Sequence, residues 1–397
     1  MNDSSTMPGI AELGPAARLA VFGATAGAPL PAADEWRAEL GSILGERSSG
    51  LAMQRLADTG AASSERKGQA GTHGVGDLWN AMATAHRCDS LDALAIAAMT
   101  LPFLRTLREH HIECVVIKGL AVARHYPSSG MRPFRDVDIV VPAARFGEAL
   151  ALAREAGLRT SAHDLQPHPS FDLRCREGVN LADATGLVRL DLHHHVSPWT
   201  FSRHLSFERL SAHADAIEVH GHRVNAASPV HSLAVSMLHL ISERWQKKLS
   251  LITWSDIAVL AGVIESADPA AAADELRRLD LDGIAAAVLQ ALPAHARPDN
   301  LMRALGRARV PLGSRVRLRL LDTGSVVGRH PASWAARLPL PNAAYFLAGS
   351  LVPSRAYLRS RFGEDATYRT WWSLAFSWAR RAVGGHDVSS PYSTGRP

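Results

Sequence analysis

The stretch Gly130-Met131-Arg132-Pro133-Phe134-Arg135-Asp136-Val137-Asp138-Ile139-Val140-Val141 carries the deciding information in this chain. Residues 137–141 form an apolar, β-branched run, the signature of a buried strand. Side chains alternate along a strand, so Asp136 and Asp138 share one face. Two carboxylates that close resist joint ionisation, and a divalent cation between them removes the cost. Oxygen-only ligands at this spacing suit Mg²⁺ (or Mn²⁺), with positions left for water and substrate phosphates. The pattern predicts a metal site for phosphoryl or nucleotidyl transfer.

Upstream, residues 113–117 read as a second short buried strand, followed by Lys118-Gly119 and a helix over 120–126. A strand, a glycine turn and a helix start present free backbone N–H groups to an anion. Lys118 adds a full positive charge there. The alternative, a surface lysine at a helix N-terminus, sets a cation against the helix dipole. A third acid is expected from residues 187–193, Leu-Val-Arg-Leu-Asp-Leu-His, which alternate like a strand with Asp191 on one face. Asp191 is the candidate for a second metal position and for deprotonating an attacking hydroxyl; its other assignment is a salt bridge to Arg189 or Arg174. His193 and His195 share the face of Asp191, while His194 points away. A strand brings together only alternate histidines, and no Cys or acid has companion zinc spacing. His193 is therefore expected to contact substrate or to orient Asp191.

The order Lys118-Gly119, Tyr126-Pro127, Arg132, Asp136-Val137-Asp138 and Asp191-Leu192-His193 resembles the uncharacterised nucleotidyltransferase family of the polymerase-β superfamily. The resemblance continues through His239, Trp245, Asp256-Ile257, residues 351–354 and 359–363, and so covers roughly residues 90 to 380. It implies an enzyme that binds a nucleoside triphosphate with Mg²⁺ at Asp136, Asp138 and Asp191. Such an enzyme moves the NMP to an acceptor hydroxyl or phosphate and releases pyrophosphate. Lys118, Gly119, Arg132 and His193 then fall on the nucleotide side, with Arg132 as a phosphate or structural clamp. The usual turn of the superfamily is Gly-Ser, and here it is Lys-Gly, so Lys118 takes over the phosphate contact. The other readings of the same site are a phosphotransferase and a non-catalytic nucleotide-binding scaffold. The acceptor, whether peptide, protein, small metabolite or tRNA, is not named by the sequence.

Composition frames this reading. The chain has 397 residues, 47% hydrophobic and 20% charged, as in ordinary globular proteins. A net charge of +5 suits polyanions such as nucleotides, but no Lys/Arg block forms a nucleic-acid arm. Three scattered cysteines, Cys88, Cys114 and Cys175, argue against a disulfide framework and for a cytoplasmic setting. No segment is expected to span a membrane.

The expected fold class is α+β, a small mixed sheet with a mainly helical C-terminal half and N-terminal helices. Four regions are expected. Residues 1–76 form a poorly ordered extension and linker, with amphipathic helix over 35–56. Residues 77–226 form the catalytic module with preceding helices, including a helix capped at Asp89-Ser90 and another starting near Pro102. Residues 227–384 form a helical domain, and 385–397 a disordered tail. Within the module, 143–156 reads as a helix ended by Gly157, 171–176 as a strand, and 217–224 as a hairpin turning at Gly221. His239 and Asp256 are expected as buried polar contacts on helices, Tyr126 as packing. Residues 367–383 are expected to form a last helix that packs in the core rather than touching a membrane.

Overall fold

The computed structural model describes residues 13–23, 31–58, 75–160, 171–196, 200–245, 250–312, 314–315 and 338–373. The expected tail, and most of the expected linker and last helix, lie outside the described residues.

The architecture is α+β, built on one seven-stranded mixed sheet. Its strands are β1 (Val115–Ile117), β2 (Val137–Val140), β3 (Arg159–Thr160), β4 (Gly178–Ala182), β5 (Arg189–His193), β6 (Asp215–Val219) and β7 (His222–Ala226), in the order β3-β4-β5-β2-β1-β7-β6. The three central strands fix the site. β1 runs antiparallel to β2 with Ile117 opposite Asp138, and β2 runs parallel to β5 with Asp138 opposite Asp191.

Strand alternation sorts the central side chains into two cores. Val116, Val137, Ile139, Leu190 and Leu192 face one layer, where they pack with α4 (Val75–Glu109) and α6 (Phe146–Glu155). Val115, Ile117 and Val140 face the other, packed with α9 (Pro229–Trp245) and α10 (Leu251–Ser266). Between these elements lie α5 (Lys118–Ala123), α7 (Phe171–Arg174) and α8 (Phe207–Ala212). Helices cover both faces, so β2 is buried at every position although it carries an acid. Each fully buried aliphatic side chain in such a core contributes about 1.5–3 kcal/mol. The helical layer continues through α11 (Pro269–Arg278), α12 (Asp282–Ala291) and α13 (Asp299–Leu305), and α14 (Leu340–Leu351) and α15 (Arg355–Phe362) follow. The hairpin turns at His220 and Gly221, both in the left-handed region (φ 48° and 76°), as a tight β6–β7 turn requires.

Four expectations change. Residues 171–176, read as a strand, begin with the helix α7, and the strand is β4, two residues beyond. Gly178 explains why β4 is hard to read: a Cβ there would lie 2.5 Å from the Leu192 carbonyl oxygen, so the close strand approach removes the apolar residue that would have marked it. The cap at Asp89-Ser90 and the fresh start at Pro102 do not occur, because α4 runs unbroken through both. Burial of Leu101, Phe103, Leu104 and Leu107 outweighs the hydrogen bond that Pro102 cannot make. By length and composition alone, residues Asp77–Glu109 of this helix could cross a membrane, contrary to expectation, but those same four residues are packed in the core beneath the sheet.

The fourth change concerns the N-terminal region. Residues 15–58 include three helices: α1 (Pro15–Phe22), in the stretch expected to be loose, and α2 (Ala33–Gly45) and α3 (Ser49–Asp58), which fall on the amphipathic helix expected over 35–56. Their residues Ala16, Leu19, Phe22, Trp36, Ile43 and Leu51 are buried in the same core as Trp254 and Ile257 of α10. The Ala-rich composition that reads as loose here allows close helix packing instead.

Candidate active site

Lys118 follows the last residue of β1 and has φ of 52°. A left-handed backbone costs a residue with a Cβ roughly 1–2 kcal/mol. The next residue, Gly119, has no room for a side chain, since a Cβ would sit 2.6 Å from Cβ of Phe134. The turn is thus pressed onto the loop that carries the acids. From it, the Lys118 ammonium donates to Asp138 Oδ1 at 2.6 Å. His193 Nε2 lies 3.1 Å from the same oxygen.

Asp138, Asp191 and His193 offer ligand atoms that all lie within 4.8 Å of one another. The parallel β2–β5 register produces this cluster directly, because Asp138 and Asp191 are partners in it. Asp136, one residue before β2, lines the same cleft but stands outside that tight cluster. The ring of His193 is assigned by its surroundings. Its Nδ1 is buried without a partner, and a bare acceptor is cheaper to leave unpaired than an N–H. With the proton on Nε2 the ring donates to Asp138, and in that tautomer His193 orients an acid. That acid is Asp138, where the sequence suggested Asp191.

The electrostatics separate Asp136 from Asp138. Burial works against the Asp138 carboxylate, but Lys118 and His193 outweigh it and hold the carboxyl well below its ordinary range. Burial and the Asp138 charge push the Asp136 carboxyl up, against the pull of Lys118, Arg132 and His239. Burial would lower the Lys118 ammonium, yet Asp138, Asp191 and Asp136 together hold it above an ordinary lysine. This is the joint-ionisation conflict expected of paired carboxylates. An all-oxygen set of Asp136, Asp138 and Asp191 suits a hard divalent cation, whose charge would relieve the raised Asp136.

The cleft encloses about 270 Å³. The sheet side supplies Lys118, Gly119, Asp136, Asp138 and Asp191, and the loop before β2 supplies Arg132 and Arg135. The helical side supplies Ser236, His239 and Glu243 from α9, and Thr253 and Asp256 from α10. Glu46 and Arg47, from the turn between α2 and α3, complete the rim. No motif or spacing marks Glu46, Arg47 or Glu243 in advance. Glu243 is a buried acid held on two sides, by His239 Nε2 at 3.3 Å and the Thr253 hydroxyl at 2.9 Å. A larger groove of about 400 Å³ lies at the opposite end of β1, lined by Arg105, Arg108, Cys114 and Arg223, away from the acids.

Arg132 reaches the cleft wall but is fully engaged behind it. Its Nε and Nη2 each donate to Asp256 at 2.7 Å, and Nη1 donates to the Pro133 carbonyl at 2.8 Å. The Tyr126 hydroxyl donates to the same Asp256 at 2.7 Å. Of the two clamp roles open to Arg132, this geometry supports the structural one: it ties the acid-bearing loop to α10. Tyr126 is buried, as expected, and Asp256 is the buried partner that joins it to Arg132.

Residues 65–295, more than half the chain, match the family described as uncharacterised nucleotidyltransferase. The chain belongs to that family. A crystal structure of an antigenic nucleotidyltransferase-like protein from Paracoccidioides brasiliensis is similar at 17% identity, over 56% of this chain and 95% of that one, with a TM-score of 0.31. No curated protein matches. As a member of the nucleotidyltransferase family, the chain places its Lys-Gly turn, Asp136 and Asp138, and the later strand acid Asp191 around one cleft.

Proposed function

We propose that this cleft transfers an NMP from a nucleoside triphosphate to an acceptor hydroxyl or phosphate, with release of pyrophosphate. The observation that carries the proposal is the side-by-side placement of Asp138 and Asp191 on parallel strands, facing Lys118 and Asp136. A divalent cation such as Mg²⁺ or Mn²⁺, held by Asp136, Asp138 and Asp191, would supply Lewis-acid polarisation of the reacting phosphate.

The chain's own groups divide the remaining work. Lys118 carries the cationic contact to the triphosphate. Its charge matters more than the helix behind it, because α5 is only six residues long. Gly119 lets the turn approach the loop closely enough for Lys118 and Asp136 to face one substrate. Asp138 stays ionised and is aimed by His193. Asp191, from the later strand, faces the acceptor side and takes the proton from the attacking hydroxyl. The α9–α10 wall excludes water and supplies polar contacts to the nucleoside and the acceptor.

ATP labelled separately at the α- and γ-phosphate tests the reaction type. Label from the α-position appearing on acceptor, with pyrophosphate released, is the expected result. Label from the γ-position would instead mark a phosphotransferase, and nucleotide binding without any transfer would mark a scaffold.

A further inference from the structure

Arg47 lies outside the family-matching segment, yet it lines the cleft beside Lys118, Asp136 and Asp138. Its backbone is left-handed, with φ of 54°. It closes α2: the Arg47 amide donates to the Leu44 carbonyl at 3.1 Å and the Ser48 amide to the Ile43 carbonyl at 2.9 Å, an arrangement that sets a left-handed residue just past a helix end. The side chain reaches from this turn to α4 and to the acid-bearing loop. Nε lies 3.1 Å from Asp89 Oδ1 and Nη2 lies 3.2 Å from Asp92 Oδ2, both on α4. Nη1 donates to the Phe134 carbonyl at 3.4 Å. The Arg47 side chain is only 16% exposed, so the contact with Asp89 is shielded from water.

Phe134 is the critical partner. It stands two residues before Asp136, and its Cβ packs against Gly119 beside Lys118. Arg47 therefore holds, from outside, the residue that the phosphate turn presses against from inside. A second tie from α4 reaches the same loop, where the Ser90 hydroxyl donates to the Gly130 carbonyl at 3.2 Å. Burial pushes the Asp89 carboxyl up even with Arg47 opposing, so without Arg47 this acid loses its main compensating charge.

We propose that Arg47 is a positioning residue: through it, the N-terminal helices α1–α3 fix the loop that sets Asp136 against Asp138 and Lys118. The kinetic part of this inference rests on the nucleotidyl-transfer reading; the positional part does not. A displacement of about 1 Å at reacting groups can cost on the order of a hundredfold in rate. Arg47 thus acts on turnover through loop placement.

The test uses the full chain with Arg47→Ala and Arg47→Lys. A lysine keeps the charge and pairs with one acid of α4, but it cannot also hold the Phe134 carbonyl. Hydrogen exchange is followed over residues 134–137 and, as an internal control, over 251–266; melting temperature, kcat and KM are measured alongside. In Arg47→Lys, exchange over 134–137 should rise about tenfold or more while 251–266 and the melting temperature stay as in the native protein. With it, kcat should fall roughly ten- to a hundredfold at a near-constant KM, and Arg47→Ala should show the same pattern more strongly. Unchanged exchange over 134–137 in Arg47→Lys overturns the proposal. So does a rise spread equally over both regions, which is what a general loss of stability produces. If the native protein transfers no nucleotide, the function proposed above falls, and the exchange measurement still decides the role of Arg47.

Discussion

Lys118–Asp138 and Arg132–Asp256 are both carboxylate–cation pairs on the wall of one cleft, and they are built for opposite purposes. In the second, a guanidinium spends both arms on one carboxylate at 2.7 Å and its remaining nitrogen on a backbone carbonyl, while Tyr126 donates to that same carboxylate. Side-chain exposures of 9% and 5% close it off from solvent. In the first, a point charge on a flexible stem meets one oxygen of Asp138 at 2.6 Å, with its own side chain 21% exposed. Asp191 and Asp136 pull on the same ammonium from other directions. Arginine's planar fork suits a committed clamp, and lysine's rotatable ammonium suits a contact that is exchanged. The comparison teaches that ion pairs of similar length can be a fixed brace and a releasable placeholder. The difference lies in how many other bonds each partner has made.

The largest expected effect breaks the releasable pair on its acid side. Asp138→Asn should lower transfer by about 10²–10⁴-fold or more, because an amide lacks the charge that holds a divalent cation. The fold should survive, since Lys118 still has Asp191 and Asp136 beside it. Steady-state transfer at saturating Mg²⁺ is the check, and a native rate would remove Asp138 from the site.

Breaking the committed pair should act on stability instead. Arg132→Ala leaves Asp256 buried without its partner, a loss of about 3–5 kcal/mol. Urea unfolding should show it. A loss below about 1 kcal/mol would mean that the clamp is not structural. Lys118→Ala should cost less stability than Arg132→Ala in the same assay, and a reversed order would contradict the contrast drawn between the pairs.

Lys118→Ala should instead weaken ATP binding by roughly ten- to a hundredfold, the scale of a lost charge-assisted contact. Adenosine binding should hold. Equal losses for both ligands would place Lys118 away from the phosphates.

A third pair, outside the cleft lining, sets the smallest and purely structural limit. Glu275 accepts from Arg209 at 2.6 Å and pairs with the buried ring of His231 at 3.0 Å. The Arg209 hydrogen bond, opposed by burial and helped by His231, holds the Glu275 carboxyl down at about 2. A depressed carboxyl contributes stability that is complete above its unfolded value of about 4.3 and is lost as pH falls towards the folded value. The stability gap between the native protein and Glu275→Gln should therefore narrow from pH 5 down to pH 2, with transfer at neutral pH little changed. A gap that stays constant across that range would rule out this linkage.

The two cleft acids on adjacent strands were legible because strand alternation and register act through sequence spacing. Residues 137–141 announce a buried strand, and Asp191 alternates with Leu190 and Leu192 as a one-faced acid must. The Lys118-Gly119 turn was legible as a turn, but the left-handed backbone at Lys118 was not, since lysine gives no propensity for it. The role of Arg132 depended on a partner 124 positions away, which no local pattern announces. Arg47 was harder still. It lies within a stretch that reads only as an amphipathic helix, and its partners on α4 and at Phe134 come together only after the helices pack. Pairing between distant elements is a product of packing, and the residues that brace a site are chosen there.

One titration tests the central claim most directly, namely that the cleft beside Lys118 receives a metal–nucleotide complex. A non-hydrolysable ATP analogue with Mg²⁺ is titrated calorimetrically into the native protein and into the Asp136→Asn, Asp138→Asn double variant, with circular-dichroism melts confirming that both are folded. The expected result is saturable, Mg²⁺-dependent binding to the native protein and loss of that binding in the double variant. Binding of the same affinity to both would contradict the claim, because the paired acids would then have no part in holding the nucleotide.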